Sequence, residues 1–152
     1  MTEDNKIKLL KSVRLLKSLH FKPENIMVTG SVALDAHGIL PSNRKSHDVD
    51  FIIKMDNDTW GCLKLIEAMA RPDDEQSPEY ESEIKKEMVF LTMTDGTVIN
   101  IWKYNTGYDW SDIKDADTGV FVATVEHIIN AKKKYGRAKD LKDINEIVKG
   151  LL

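Results

Sequence analysis

The run Asp48-Val49-Asp50-Phe51-Ile52-Ile53 constrains the fold of this chain most. Polar and apolar residues alternate as far as Phe51, the period of a half-buried strand, and the run then becomes wholly apolar, as a central strand does. In a strand, side chains two apart share a face, so Asp48 and Asp50 stand together while Val49 and Phe51 point into the opposite layer. Two carboxylates held that close repel each other, and a divalent cation between them relieves the repulsion. Hard oxygen ligands with positions left for water suit magnesium bridged to a phosphate.

Upstream, Ile26-Met27-Val28-Thr29 is a short apolar run that fits a buried strand, and Gly30-Ser31 turns the chain. From Val32 onward the spacing is helical, with Val32, Leu34, Ala36 and Ile39 placed to pack and Gly38 near the end. Glycine lets the backbone approach a bulky anion, and the helix starting there offers unpaired N–H groups and the positive end of its dipole. Ser31 adds a hydroxyl. A phosphate grip on one element and a metal platform on the next describe a site for a metal-bound triphosphate.

The pattern around this unit supplies the other elements. Leu9, Val13 and Leu16, flanked by Ile7, Leu10 and Leu19, recur at helical spacing, with interspersed lysines that read as a solvated face and could also meet a polyanion. Asn57, Asp58 or Thr59 is placed to cap the helix TWGCLKLIEAMA, and residues 71–83 read as an acidic surface loop with Pro72 and Pro78. Met88–Met93 and Thr97–Tyr104 flank Asp95-Gly96, a strong hairpin signal. Val120–Val122 adds an edge strand, and Thr124 opens a helix whose Ile128 and Ile129 face inward. At the end, Leu141, Ile144, Ile147, Val148 and Leu151 share a helical face that closes the domain. The order predicts an α+β fold, a mixed β-sheet flanked by helices, in a single domain over 1–152 with 124–152 as a C-terminal helical segment.

Composition bounds what such a domain meets. A net charge of −3 argues against a non-specific nucleic-acid coat. Lys132, Lys133, Lys134, Arg137 and Lys139 form a local basic cluster, read as a solvated helix end or an RNA contact. Cys62 is the sole cysteine, which excludes an internal disulfide, and it reads as a small core filler. The charged N-terminal run and the lack of a long apolar segment give the expectation of a cytoplasmic protein that meets no membrane. His47, beside Asp48, reads as a loop residue that could also orient a carboxylate or contact a nucleotide, and His37 and His127 read as surface or packing residues. Trp102, Tyr104, Tyr108 and Trp110 read as anchors that could also stack on a base. Arg44 is placed either to bind phosphate or to pair with an acid such as Asp140.

The stretch TGSVALDAHGI followed by NRKSHDVDFII resembles the nucleotidyltransferase superfamily of the DNA polymerase β type, whose pattern is a strand, Gly-Gly or Gly-Ser, a helix, and a strand with Asp-x-Asp. Arg44, Ser46, Asp48 and Asp50 are similar to the branch of abortive-infection nucleotidyltransferase toxins and small antibiotic nucleotidyltransferases, and EHIINAKKKYGRAKDLKDI is similar to its C-terminal helical segment. The resemblance implies a nucleotidyltransferase fold and magnesium-dependent transfer of a nucleoside monophosphate from a triphosphate such as ATP to an acceptor hydroxyl. That acceptor would be RNA, a protein or a small molecule. By the same resemblance Asp48 and Asp50 hold magnesium and Gly30, Ser31 and Lys132 contact the nucleotide, with Arg44 as a further nucleotide contact if it binds phosphate; the small size of the chain favours a homodimer or partner subunit completing the site.

The family usually places a third carboxylate on a later strand, and in TVINIWKY the inward polar position is Asn100. Asp95 lies in the turn and Glu87 at the far edge of the partner strand. An amide is no base near neutral pH and a poorer metal ligand than a carboxylate. Two expectations follow: chemistry with two carboxylates and a base supplied by the substrate, or a degenerate nucleotide-binding or interaction protein of a toxin-antitoxin or phage-defence kind, without turnover.

Overall fold

A computed structural model gives the fold and describes residues 1–39, 48–70, 87–106 and 109–151. The apolar runs form one five-stranded sheet: β1 (Ile26–Thr29), β2 (Asp48–Ile53), β3 (Met88–Thr92), β4 (Val98–Lys103) and β5 (Phe121–Val122). Their spatial order is β3-β4-β2-β1-β5. β1 is antiparallel to β2, β2 parallel to β4, β4 antiparallel to β3, and β5 parallel to β1, so the sheet is mixed, as the sequence predicts. β2 is central, which explains why its second half is apolar on both sides.

Helix α1 (Glu3–Ser18) and helix α2 (Gly30–Ala36) pack against β2 on one side of the sheet. Val49 and Phe51 of β2 with Ile99 and Ile101 of β4 share that buried layer with Leu9, Val13, Leu16, Val32 and Leu34. Full burial of a side chain such as Phe51 contributes about 2–3 kcal/mol. Helix α3 (Asn57–Ala70) lies along β3. Lys64 Nζ donates to the Met88 carbonyl at 2.7 Å, and the Phe90 N–H donates to Glu67 at 2.5 Å. These bonds satisfy backbone groups of an edge strand that would otherwise be open to pairing. Helix α4 (Val125–Tyr135) and helix α5 (Ala138–Leu151) pack on each other. Thr124 caps α4 by accepting from the His127 N–H at 3.1 Å.

The hairpin forms where Asp95-Gly96 places it. The Met93 N–H donates to the Thr97 carbonyl at 2.8 Å, and Gly96 turns the chain at φ +90°. The inward position of Ile128 also holds.

Other expectations are corrected. The cap of α3 is Asp56, whose Oδ1 accepts from the Thr59 N–H at 2.7 Å, rather than Asn57, Asp58 or Thr59. Cys62 is exposed, because α3 turns Leu63 and Glu67 inward instead. On α2 Ala33 is buried and Ala36 exposed. On α5 the buried positions are Asp140, Asp143 and Ile147, while Leu141 and Val148 are exposed at 53% and 44%. Cations on the preceding chain draw the two acids inward and rotate the apolar stripe outward. Arg44, Ser46, His47, Tyr108 and the 71–83 segment lie outside the described residues, as does the side chain of Leu151.

Candidate functional site

The antiparallel register sets Thr29 at the end of β1 opposite Asp50 of β2, so the next residue, Gly30, lies against the Asp50 side chain. A Cβ built on Gly30 would overlap Oδ2 of Asp50, and the backbone there has φ +64°. Glycine is required twice over, by conformation and by contact. Ser31 follows in the first turn of α2, half-buried.

The parallel register of β2 with β4 places Asn100 beside Asp50 and Trp102 beside Ile52. Asn100 Nδ2 donates to Asp50 Oδ1 at 2.8 Å and to Asp48 Oδ2 at 3.2 Å. One amide bridges both carboxylates and offsets their repulsion. Burial nevertheless pushes the Asp50 carboxyl up to about 6, against the Asn100 hydrogen bond, and the charge of Asp48 adds to the rise. Lys132 and Lys139 pull the other way.

Asp50 also forms part of the wall of a cleft of about 140 Å³ between the sheet and the α4–α5 pair. Ile52, Trp102, Ile128 and Ala131 make its apolar part, and Lys132, Lys134, Arg137, His127 and Asp140 its polar part. Lys132 Nζ is held 3.0 Å from Asp143 Oδ2. Arg137 donates through Nε to Asp140 Oδ2 at 2.7 Å and through Nη2 to Oδ1 at 3.3 Å, and its backbone N–H donates to Oδ2 at 3.2 Å. Burial drives the Asp140 carboxyl upward, but the Arg137 hydrogen bonds and charge outweigh it and leave it below the usual range. Burial lowers the His127 imidazole, partly opposed by Asp109.

Asp48, Asp50, Asn100 and Gly30 are thus brought together, Lys132 lines the adjoining cleft, and Ser31 adjoins Gly30 without lining it. Arg44 lies outside the described residues, and Asp140, weighed as its partner, pairs with Arg137. Asp95 is tied into the hairpin turn, held down to about 2 by the Thr97 N–H and by Lys11, whose Nζ is 2.9 Å away. Of the aromatic group, Tyr104 and Trp110 meet edge to face at 5.3 Å with Lys54 4.2 Å above Trp110, an anchoring cluster. Trp102 instead faces the cleft, with its buried Nε1 lacking a hydrogen-bond partner among the described residues. His127, read as a surface or packing residue, is half-buried and lies in the cleft wall. The two-residue step from Asn100 to Trp102 on one strand face was a usable signal for the place of Trp102 in the cleft.

No protein-family model matches this chain, and no curated protein is similar to it.

The donor set fits one hard cation. Asp48 and Asp50 offer carboxylate oxygens on one strand face, and magnesium is commonly bound by one or two carboxylates with water and substrate phosphate completing its shell. Among the described residues no group of three or more His, Cys, Asp or Glu gathers to hold a metal.

Proposed function

We propose that the protein is a magnesium-dependent nucleotidyltransferase, moving a nucleoside monophosphate from a nucleoside triphosphate to an acceptor oxygen. The observation that carries this reading is the contact between Gly30 and Asp50: the turn suited to phosphate and the carboxylate suited to the metal occupy one place. Magnesium held by Asp48 and Asp50 would neutralise the phosphates and make the α-phosphorus more electrophilic.

The chain's own groups do the rest. The backbone at Gly30 has no side chain between it and an approaching phosphate. Lys132 is anchored by Asp143, which takes one of the three donors of an ammonium and leaves it aimed from the cleft wall. Arg137 is fixed by Asp140 as a second cation. Such pre-ordered charge stabilises a transferring phosphoryl group without reorganising as it moves. Ile52, Trp102, Ile128 and Ala131 offer the apolar surface on which a base can lie. A cleft of about 140 Å³ takes only part of a nucleotide, which leaves the rest open to the acceptor.

Asn100 favours a second reading, a nucleotide-binding module without turnover, because its amide occupies both carboxylates where the family's third carboxylate would act. One experiment separates the two. The protein is incubated with magnesium, each labelled nucleoside triphosphate and cell extract as acceptor source, beside the Asp48→Ala, Asp50→Ala double variant. Label transfer by the wild type alone is expected; transfer that survives the double substitution overturns the site, and saturable binding without transfer favours the module.

A further inference from the structure

A hydroxyl acceptor must lose a proton as it attacks, so a transferase acting on hydroxyls needs a positioned group to take it. In register with Asp50 on the neighbouring strand, where a carboxylate could serve, stands an amide that donates at Nδ2 to both Asp48 and Asp50. It takes no proton near neutral pH. Asp50 is taken by the metal in the reading above, and the other proton acceptors in the cleft wall are committed or enclosed among the described residues. Asp140 receives three hydrogen bonds from Arg137, and Nε2 of His127 is buried. Cations are not short: Lys132, Lys134 and Arg137 line the same cleft as Asp50.

We infer that the acceptor is a phosphate monoester, whose attacking oxygen arrives already ionised; this rests on the transferase reading above. The second ionisation of such a phosphate lies at about 6, so at neutral pH it is mostly a dianion. One of its oxygens forms a bond to the α-phosphorus, and the bond from that phosphorus to the α,β-bridging oxygen breaks. Pyrophosphate leaves with the electron pair, and no proton changes hands. The product joins nucleotide and acceptor through a P–O–P linkage. A carboxylate is also ionised, but it carries a single charge. Two phosphate-bearing substrates account better for an ammonium and a guanidinium both fixed in place beside the metal carboxylates.

The test uses the full chain with magnesium and each of the four nucleoside triphosphates. One set of acceptors is glycerol 3-phosphate, ribose 5-phosphate and glucose 1-phosphate. The other is glycerol, ribose, glucose, acetate and an RNA oligonucleotide with free 5′ and 3′ hydroxyls. Pyrophosphate release gives the rate and phosphorus NMR the linkage. A P–O–P product is expected from at least one phosphate acceptor, at least about 100-fold faster than any product from its unphosphorylated counterpart, the low end of what a positioned base contributes. Asn100→Asp, which restores a proton acceptor, is expected to gain transfer to hydroxyls. Phosphodiester products from hydroxyls with the wild type, lost in His127→Gln, would assign the base to the imidazole and overturn the inference while leaving the transferase reading intact. Acyl nucleotide from acetate alone overturns it equally. No pyrophosphate from the phosphate acceptors, while label still passes to a hydroxyl in cell extract, overturns the inference and leaves the transferase reading intact; no transfer in either experiment overturns both.

Discussion

At Asp50 stability and function pull in opposite directions. Burial raises its carboxyl to about 6, helped by Asp48 and opposed by Asn100, so the folded chain prefers it protonated. For such an acid the stabilisation is full below the unfolded value of 3.8 and is lost as pH rises through about 6. That displacement corresponds to at most about 3 kcal/mol against the metal-free protein at neutral pH. Asp50→Asn removes the charge and keeps an acceptor for Asn100. In urea denaturation without divalent metal the variant is expected to be more stable than the wild type near pH 7.5, and equal to it near pH 4. A variant less stable at both pH values would show that Asp50 is not strained by ionisation. The sequence made this residue legible because period two is a local pattern. It did not make its neighbour Gly30 legible as a steric necessity, because that contact depends on how β1 registers against β2.

At the scale of elements, the join between α1 and α2 rests on an acid that the sequence hid. Asp35 looks like a polar residue of an amphipathic helix, yet it is 6% exposed. It accepts from the Thr2 N–H at 2.8 Å, the Thr2 hydroxyl at 3.0 Å and Asn5 Nδ2 at 2.7 Å. Thr2 in turn caps α1. Burial pushes the Asp35 carboxyl up, but the hydrogen bonds from Thr2 and Asn5 prevail and leave it below its ordinary value. Its stabilisation is therefore present above the unfolded value of 3.8 and is lost as pH falls through the lower folded one. Asp35→Ala leaves the Thr2 and Asn5 donors without it and is expected to cost roughly 2–3 kcal/mol at neutral pH, read from the urea midpoint. A loss below about 0.5 kcal/mol would place the join in the apolar contacts instead. The same logic sorts what was legible. Asp95-Gly96 and Thr124 signal locally, and the hairpin and the α4 cap form there. The inward face of α5 does not, because Asp143 is drawn in by Lys132 and Asp140 by Arg137, ion pairs that outweigh the apolar stripe of Leu141 and Val148.

Across the whole molecule, an acidic chain sets three cations around one cleft. The net charge is −3, yet Lys132, Lys134 and Arg137 line the same cleft as Asp50, where the proposed metal-bound anion would meet carboxylate and cation together. Composition alone could not reveal this, since β2 pairs with β4 about a third of the chain away and the cations of α4 come to line the same cleft. The arrangement predicts coupling. Magnesium alone meets two carboxylates already bridged by Asn100, and a triphosphate alone meets Asp48 and Asp50 as repelling charges. Each is therefore expected to shift the melting temperature little, while the two together stabilise by about 2.7 kcal/mol at 100 times the dissociation constant. For a chain of this size that is roughly 5–10 °C. Differential scanning fluorimetry with magnesium, ATP and both reads the effect, and the Asp48→Ala, Asp50→Ala double variant should abolish the joint excess. A shift that is merely the sum of the two separate ones would mean that metal and phosphate do not share this site.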